Sequence, residues 1–142
     1  MSDQTYDPTV TPGLAQHAHW LLRAALASVF LFHGIDKFLG SGVAGFAQAM
    51  DLPVMIAFLV ALGEVGAGIF ILLGGIIAGL TGAAITRLGA VGMIVILLGA
   101  ILMAHWGQWH FMATPTHPMG GMQFQVTLAM MSAYMLIKGN HA

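Results

Sequence analysis

Cysteine is absent from the 142-residue chain, and charge nearly so: four Lys and Arg and five Asp and Glu make up 6% of it. The first absence excludes disulfides, iron–sulfur clusters and thiolate metal sites within the chain. The second excludes an ordinary soluble surface, since a soluble domain carries roughly a quarter of its residues charged. A net charge of −1 leaves no electrostatic footprint for nucleic acid. No strand precedes the scattered glycines and no Gly-Lys-Ser follows them, so phosphate-binding loops find no support, and nucleophilic triads find none either. What remains is 58% hydrophobic with a mean hydropathy of +0.89. A chain like this needs the bilayer to cover it, which makes it an integral membrane protein.

Apolar runs of about 20 residues, enough to cross the hydrocarbon as helix, occur four times. They lie at about Trp20–Leu39, Val54–Leu80, Leu88–Trp106 and Met122–Lys138. Their loops are short, so the expected fold class is all-α: an integral membrane four-helix bundle in one domain over residues 17–138. Residues 1–16 read as a polar tail without the basic start of a cleaved signal peptide, and 139–142 as a short second tail. "GVAGFAQAM" predicts a short interfacial helix, and "TGAAITR" a tight return between the second and third spans. The last span holds Gln123, Gln125, Thr127 and Ser132 and is expected to pack against its neighbours. On the second span Ala57, Ala61, Glu64, Gly68 and Gly75 share a face, and on the third Gly89, Gly92 and Gly99 do, spacings at which helix backbones approach closely. Internal repeats and broken helices, the marks of many transporters, are not evident.

Arg23, Arg87 and Lys138 fall on one side of the spans and Lys37 on the other, which predicts cytoplasmic N and C termini. The stretch from His105 to Gly121 then faces outward.

One residue breaks the pattern. In "FLVALGEVGAGIFILLGG" every position is apolar or glycine except Glu64, about ten residues into its span. A charge at mid-membrane costs about 2.5–3.5 kcal/mol on insertion scales, so Glu64 must face the bundle, be paired or be protonated. Its candidate partners are Arg23 and Lys37, which with Phe30 and Gly34 lie within about 40° of one line on the first helix at 100° per residue. His33 stands beside that line. On the third span Arg87 and His105, about five turns apart, are expected to point the same way. Two readings stay open: a buried pair that sets helix register, or a proton-handling site with Glu64 as its catalytic residue and Arg23, His33, Lys37 and His105 around a quinone.

Outside, "MAHWGQWHFMATPTHPMGGM" mixes His110 and His117 with Met112 and Met119, and imidazole with thioether suits Cu(I). The same stretch holds Trp106, Trp109 and Phe111, which mark an aromatic belt at the interface. Anchoring and copper binding are both compatible with it.

"RAALASVFLFHGIDKF" resembles the first helix of the DoxX family, with Arg23, Phe30, Gly34 and Lys37 in its pattern. "LGEVGAGIFILLG" is similar to the second helix, Glu64 being the acidic residue. "RLGAVGMIVILLGAILMAHW" is similar to the third, which in the family often ends with a histidine, here His105. The resemblance covers about residues 20 to 138. It implies a four-helix protein of the bacterial inner membrane that partners other membrane subunits of a redox or respiratory assembly, some linked to quinone, or forms a homo-oligomer. Two features depart from the pattern: Gln123 stands where many members place an acidic residue, and the chain closes with "KGNHA". A purely structural accessory subunit is the reading of a different class.

Overall fold

The computed structural model describes residues 16–140. Among these it contains five α-helices: α1 His19–Leu39, α2 Gly42–Ala49, α3 Val54–Ile76, α4 Gly79–Ala100 and α5 Gln123–Lys138. A π-helical turn, Ile101–His105, prolongs α4, and no strand occurs among the described residues. The expected short helix is α2, and the first and last expected spans agree with α1 and α5 to within a residue or so. Expectations for the tails at 1–15 and 141–142 lie outside the described residues.

The "TGAAITR" return is a correction. Those residues form the start of α4, and the reversal lies at Ile77 and Ala78, both extended. Gly79 leaves the turn at φ +73°, a conformation that side chains disfavour, and the alanines after it propagate helix. So short a connection works because α3 and α4 touch backbone to backbone. A Cβ on Gly82 would collide with the Ile77 carbonyl, and one on Gly74 with the Thr86 hydroxyl.

Helix α3 lies at the centre, packed on α1 along one side and α4 along the other, while α5 packs on α4 and meets α1 only sparingly. The core collects Leu26 and Phe30 from α1, Ala67 and Ile71 from α3, Ala90, Met93 and Leu97 from α4, and Leu128 and Met135 from α5. In lipid such an interface is held by close packing and not by escape from water, which is why Gly and Ala are frequent on the buried faces of α3 and α4. On α3 the expected Ala57, Ala61, Glu64 and Gly68 are buried; Gly75, half-buried, continues the face turned to α1, while Gly74 is buried against α4. On α4 the buried line is Gly82, Thr86, Gly89, Ala90 and Met93; Gly92 and Gly99 lie half-buried beside it.

Among the described residues two helices are long and apolar enough to cross a membrane: α3, of 23 residues, and α4 with its π turn, of 27. At 1.5 Å per residue they reach about 35 and 40 Å, against a hydrocarbon thickness of about 30 Å. Only 33% of each apolar window is buried within the chain, whereas the core helix of a soluble protein would be mostly buried. The protein is therefore a membrane protein. α1 carries Arg23, Asp36 and Lys37, and α5 has 16 residues, so neither meets the same standard. Both still expose large apolar side chains, among them Leu21, Phe32 and Leu39 on α1 and Met130 and Ile137 on α5.

The π turn ends at His105, and its i→i+5 bonding widens the helix there. Arg87 and His105 both reach α5: Arg87 is exposed and donates Nε–H to the Leu136 carbonyl at 3.2 Å, whereas His105 is buried with Nε2 2.9 Å from Gln125 Nε2.

Candidate functional site

The polar residues that the sequence placed around one centre divide between two. The first is Arg23, whose side chain is fully buried in the first turns of α1. A guanidinium has five N–H donors, and all five find partners. Nε donates to His19 Nδ1 at 3.0 Å, Nη1 to the Ile71 carbonyl at 2.6 Å and Thr86 Oγ1 at 3.0 Å, and Nη2 to the Gly139 carbonyl at 3.3 Å and Asn140 Oδ1 at 2.9 Å. Asn140 in turn donates to the carbonyls of Gly74 and Ile77, and accepts from Thr86 Oγ1 at 2.8 Å. The cation thus sits where α3 and α5 both end, among carbonyls that carry the negative ends of two helix dipoles. That is how a buried charge is held without a carboxylate bonded to it among the described residues. Because the cluster joins α1, α3, α4 and the residue after α5, it pins the register of the whole bundle. Arg23 is no partner for Glu64.

The partner is Lys37. Gly34 on α1 lies flush against Glu64 and Val65 on α3, where an added Cβ would stand 2.7 Å from Val65 Cγ2. This close approach lets Lys37, one turn further along, reach the carboxylate. Lys37 Nζ bonds Glu64 Oε1 at 3.0 Å and Oε2 at 2.7 Å, and the side chains are only 14% and 10% exposed. The third ammonium hydrogen meets the His33 carbonyl at 3.3 Å, and Nζ stands 4.7 Å from the centre of the Phe46 ring on α2. Pairing makes the mid-helix carboxylate tolerable, since charge and countercharge enter the low-dielectric region together.

The pair forms part of the wall of a cavity of about 450 Å³. Most of that wall is apolar: Phe30 from α1, Phe46 from α2, Ile96 and Leu97 from α4, and Phe124 and Leu128 from α5. Glycine at position 99 leaves room there, for a Cβ would meet nothing within 4 Å. The polar lining is His33, Lys37, Glu64, His105 and Gln125. His33 is exposed on α1. His105 bonds the Gly120 carbonyl through Nδ1 at 2.9 Å, so Nδ1 carries the proton and Nε2 accepts from Gln125 Nε2 at 2.9 Å. Four of the five candidates that the sequence assigned to the ligand-handling cluster thus share one cavity, and Arg23 lies outside it.

Gln125 is a contributor that sequence reasoning noted only as a polar residue in a weak span. Its position two residues beyond Gln123, the site of the family departure, was the available signal. Phe46, Thr86 and Asn140 carried no signal beyond residue type.

The connection between α4 and α5 is ordered by another unanticipated residue. Gln108 donates to the carbonyls of His110 and Met112 at 3.0 and 2.6 Å and accepts from Thr114 Oγ1 at 2.6 Å. His117 bonds the Trp106 carbonyl through Nε2 at 2.7 Å, while His110 is exposed with Nδ1 3.5 Å from Gln108 Nε2. Met112 and Met119 are exposed, the latter at the cavity rim. No three His, Cys, Asp or Glu side chains converge on a metal position among the described residues. The loop bonds account for His117, and Trp106, Trp109 and Phe111 are exposed as an interfacial belt requires.

A family model described as DoxX matches residues 18–106, which include Arg23, His33, Lys37, Glu64 and His105. No curated protein and no solved structure matches the chain significantly.

Proposed function

The chain belongs to the DoxX family, and on that premise we propose that it is a subunit of a quinone-linked redox assembly in a bacterial inner membrane. The observation that carries this reading is an apolar cavity of about 450 Å³ with a Lys37–Glu64 ion pair in its wall. Small-molecule sites have this character: mostly apolar walls with a few polar groups that orient the ligand. A quinone head is a flat apolar ring with oxygens on its edge, and the lining suits it. Phe30, Phe46 and Leu128 would flank the ring, and Glu64, His33 and the His105–Gln125 pair would meet its oxygens. When bound, a quinone supplies two-electron, two-proton redox chemistry. The chain's own part is to orient the ring, exclude water and hold a proton at a Glu64 carboxylate oxygen, work that needs a group within hydrogen-bond reach. In this reading all four long helices cross the bilayer. The Arg23 end faces the cytoplasm with Arg87 and Lys138, as the positive-inside bias favours.

A second reading, a purely structural accessory subunit, is favoured by the Arg23 cluster, whose five donated bonds fasten the helices with no donor left over. Gentle detergent extraction followed by identification of co-purifying subunits and of lipid-soluble quinone decides between them. Redox subunits together with quinone support the first reading. Partner subunits without quinone support the second.

A further inference from the structure

Resting on the reading of the cavity as a ring-binding site, we propose that Glu64 holds its ligand by accepting a hydrogen bond from a ring hydroxyl, so that the reduced, hydroxyl-bearing ring is bound in preference to the carbonyl form. The argument is a count of hydrogens. An ammonium has three N–H donors and no acceptor. Those of Lys37 go to Glu64 Oε1, Glu64 Oε2 and the His33 carbonyl, which leaves none for a ligand. A carboxylate has about four lone-pair sites. Glu64 accepts from Lys37 alone among the described residues, once at each oxygen, which leaves lone-pair sites on a residue that lines the cavity. The ion pair therefore presents an acceptor, not a donor. A ring carbonyl placed against it would oppose one acceptor to another, whereas a ring hydroxyl would complete it.

Charge narrows the ligand further. Lys37 already neutralises Glu64 at 2.7 Å, so a cationic head gains little and a neutral hydroxyl is suited. Elsewhere on the lining, the His33 ring and the second N–H of Gln125 are the remaining sources of donors. A second hydroxyl, which both donates and accepts, satisfies either of them. A carbonyl satisfies only those positions and never the Glu64 wall. The ligand class that meets every constraint is a neutral aromatic ring with at least one hydroxyl on an apolar tail.

The test compares three probes on the full-length protein in lipid nanodiscs: a decyl-substituted hydroquinone kept anaerobic, the corresponding benzoquinone, and the dimethyl ether of the hydroquinone. Binding is read as partition into protein-containing discs over empty ones. The hydroquinone should bind about tenfold or more tightly than either of the others, the size expected for one hydrogen bond to a charged acceptor. In the charge-balanced double variant Lys37→Met/Glu64→Gln that preference should collapse, because an amide both donates and accepts. Benzoquinone binding as tightly as hydroquinone, or ether matching hydroquinone, overturns the inference and leaves the cavity reading standing. No probe binding above empty discs overturns the cavity reading and the inference with it. If the double variant does not assemble, the three-probe series on the unaltered protein still decides.

Discussion

Replacing Arg23 with lysine keeps the buried positive charge and removes the fork that distributes it. Lysine offers three donors from one atom, so at least two of the five acceptors, His19 Nδ1, the Ile71 and Gly139 carbonyls, Thr86 Oγ1 and Asn140 Oδ1, lose a bond. Hydrogen bonds to charged groups contribute about 1.5–3 kcal/mol in soluble proteins, while interhelical bonds measured in a bilayer reach at most about 1.7. The two scales meet near 1.5 kcal/mol per bond, which puts the loss at about 3 kcal/mol. For a chain of this size that is a fall in melting temperature of roughly 10 °C. Thr86→Val is the graded control. It removes one bond to the charged Arg23 and one neutral bond to Asn140 but leaves the fork intact, about 2.5 kcal/mol by the same scale, so its fall should be somewhat smaller. Thermal unfolding of each purified variant in one detergent, followed by loss of the monodisperse peak, measures both. An Arg23→Lys melting temperature within ~2 °C of the unaltered protein, or a larger fall for Thr86→Val than for Arg23→Lys, refutes the account of Arg23 as the clasp of the bundle.

Glu64→Gln alone leaves Lys37 unpaired in a largely buried position, a change that costs about 3–5 kcal/mol where buried pairs are broken from one side. Yield of assembled protein should fall and recover when Lys37→Met is added, and equal yields for the single and double variants would contradict the pairing. Gly74→Val should prevent α3 and α4 from closing, because its Cβ would fall on Thr86, whereas Gly99→Ala should leave stability unchanged, as open space surrounds that position; detergent melting of the two separates them. For the outer loop, His110→Ala/His117→Ala should assemble with a loss of about 1 kcal/mol from the His117–Trp106 bond. Elemental analysis of the unaltered protein should find no copper, and near-stoichiometric copper removed by the double substitution would establish a metal site instead. Reporter tags on either terminus should both read cytoplasmic, and opposite readings would disprove an even number of spans.

Composition alone determined that the chain belongs in a bilayer, because nine charged side chains cannot clothe a domain of 142 residues. Local periodicity placed α1, α2 and α5 within a residue or so of their observed bounds and drew Arg23, Phe30, Gly34 and Lys37 onto one buried or half-buried line. The cost of a lone carboxylate among apolar residues singled out Glu64. What helical counting could not supply was anything set by how two helices touch. The turn between α3 and α4 fell at Ile77 and Ala78 because glycines at 74 and 82 let the backbones meet, a fact about a pair of surfaces. Counting at a constant 3.6 residues per turn aligned His105 with Arg87, and both do reach α5, but it gave no sign of the π turn or of the Gly120 and Gln125 partners that hold His105. The choice between Arg23 and Lys37 as partner of Glu64 was likewise tertiary. Both lie on the same stripe of α1, but the antiparallel register of α1 against α3 sets Gly34 beside Glu64 and Arg23 beside Gly75. Lysine 37 therefore reaches the carboxylate across the shared groove, while Arg23 is carried to the carbonyl ends of α3 and α5, where helix dipoles and Asn140 take the place of a countercharge.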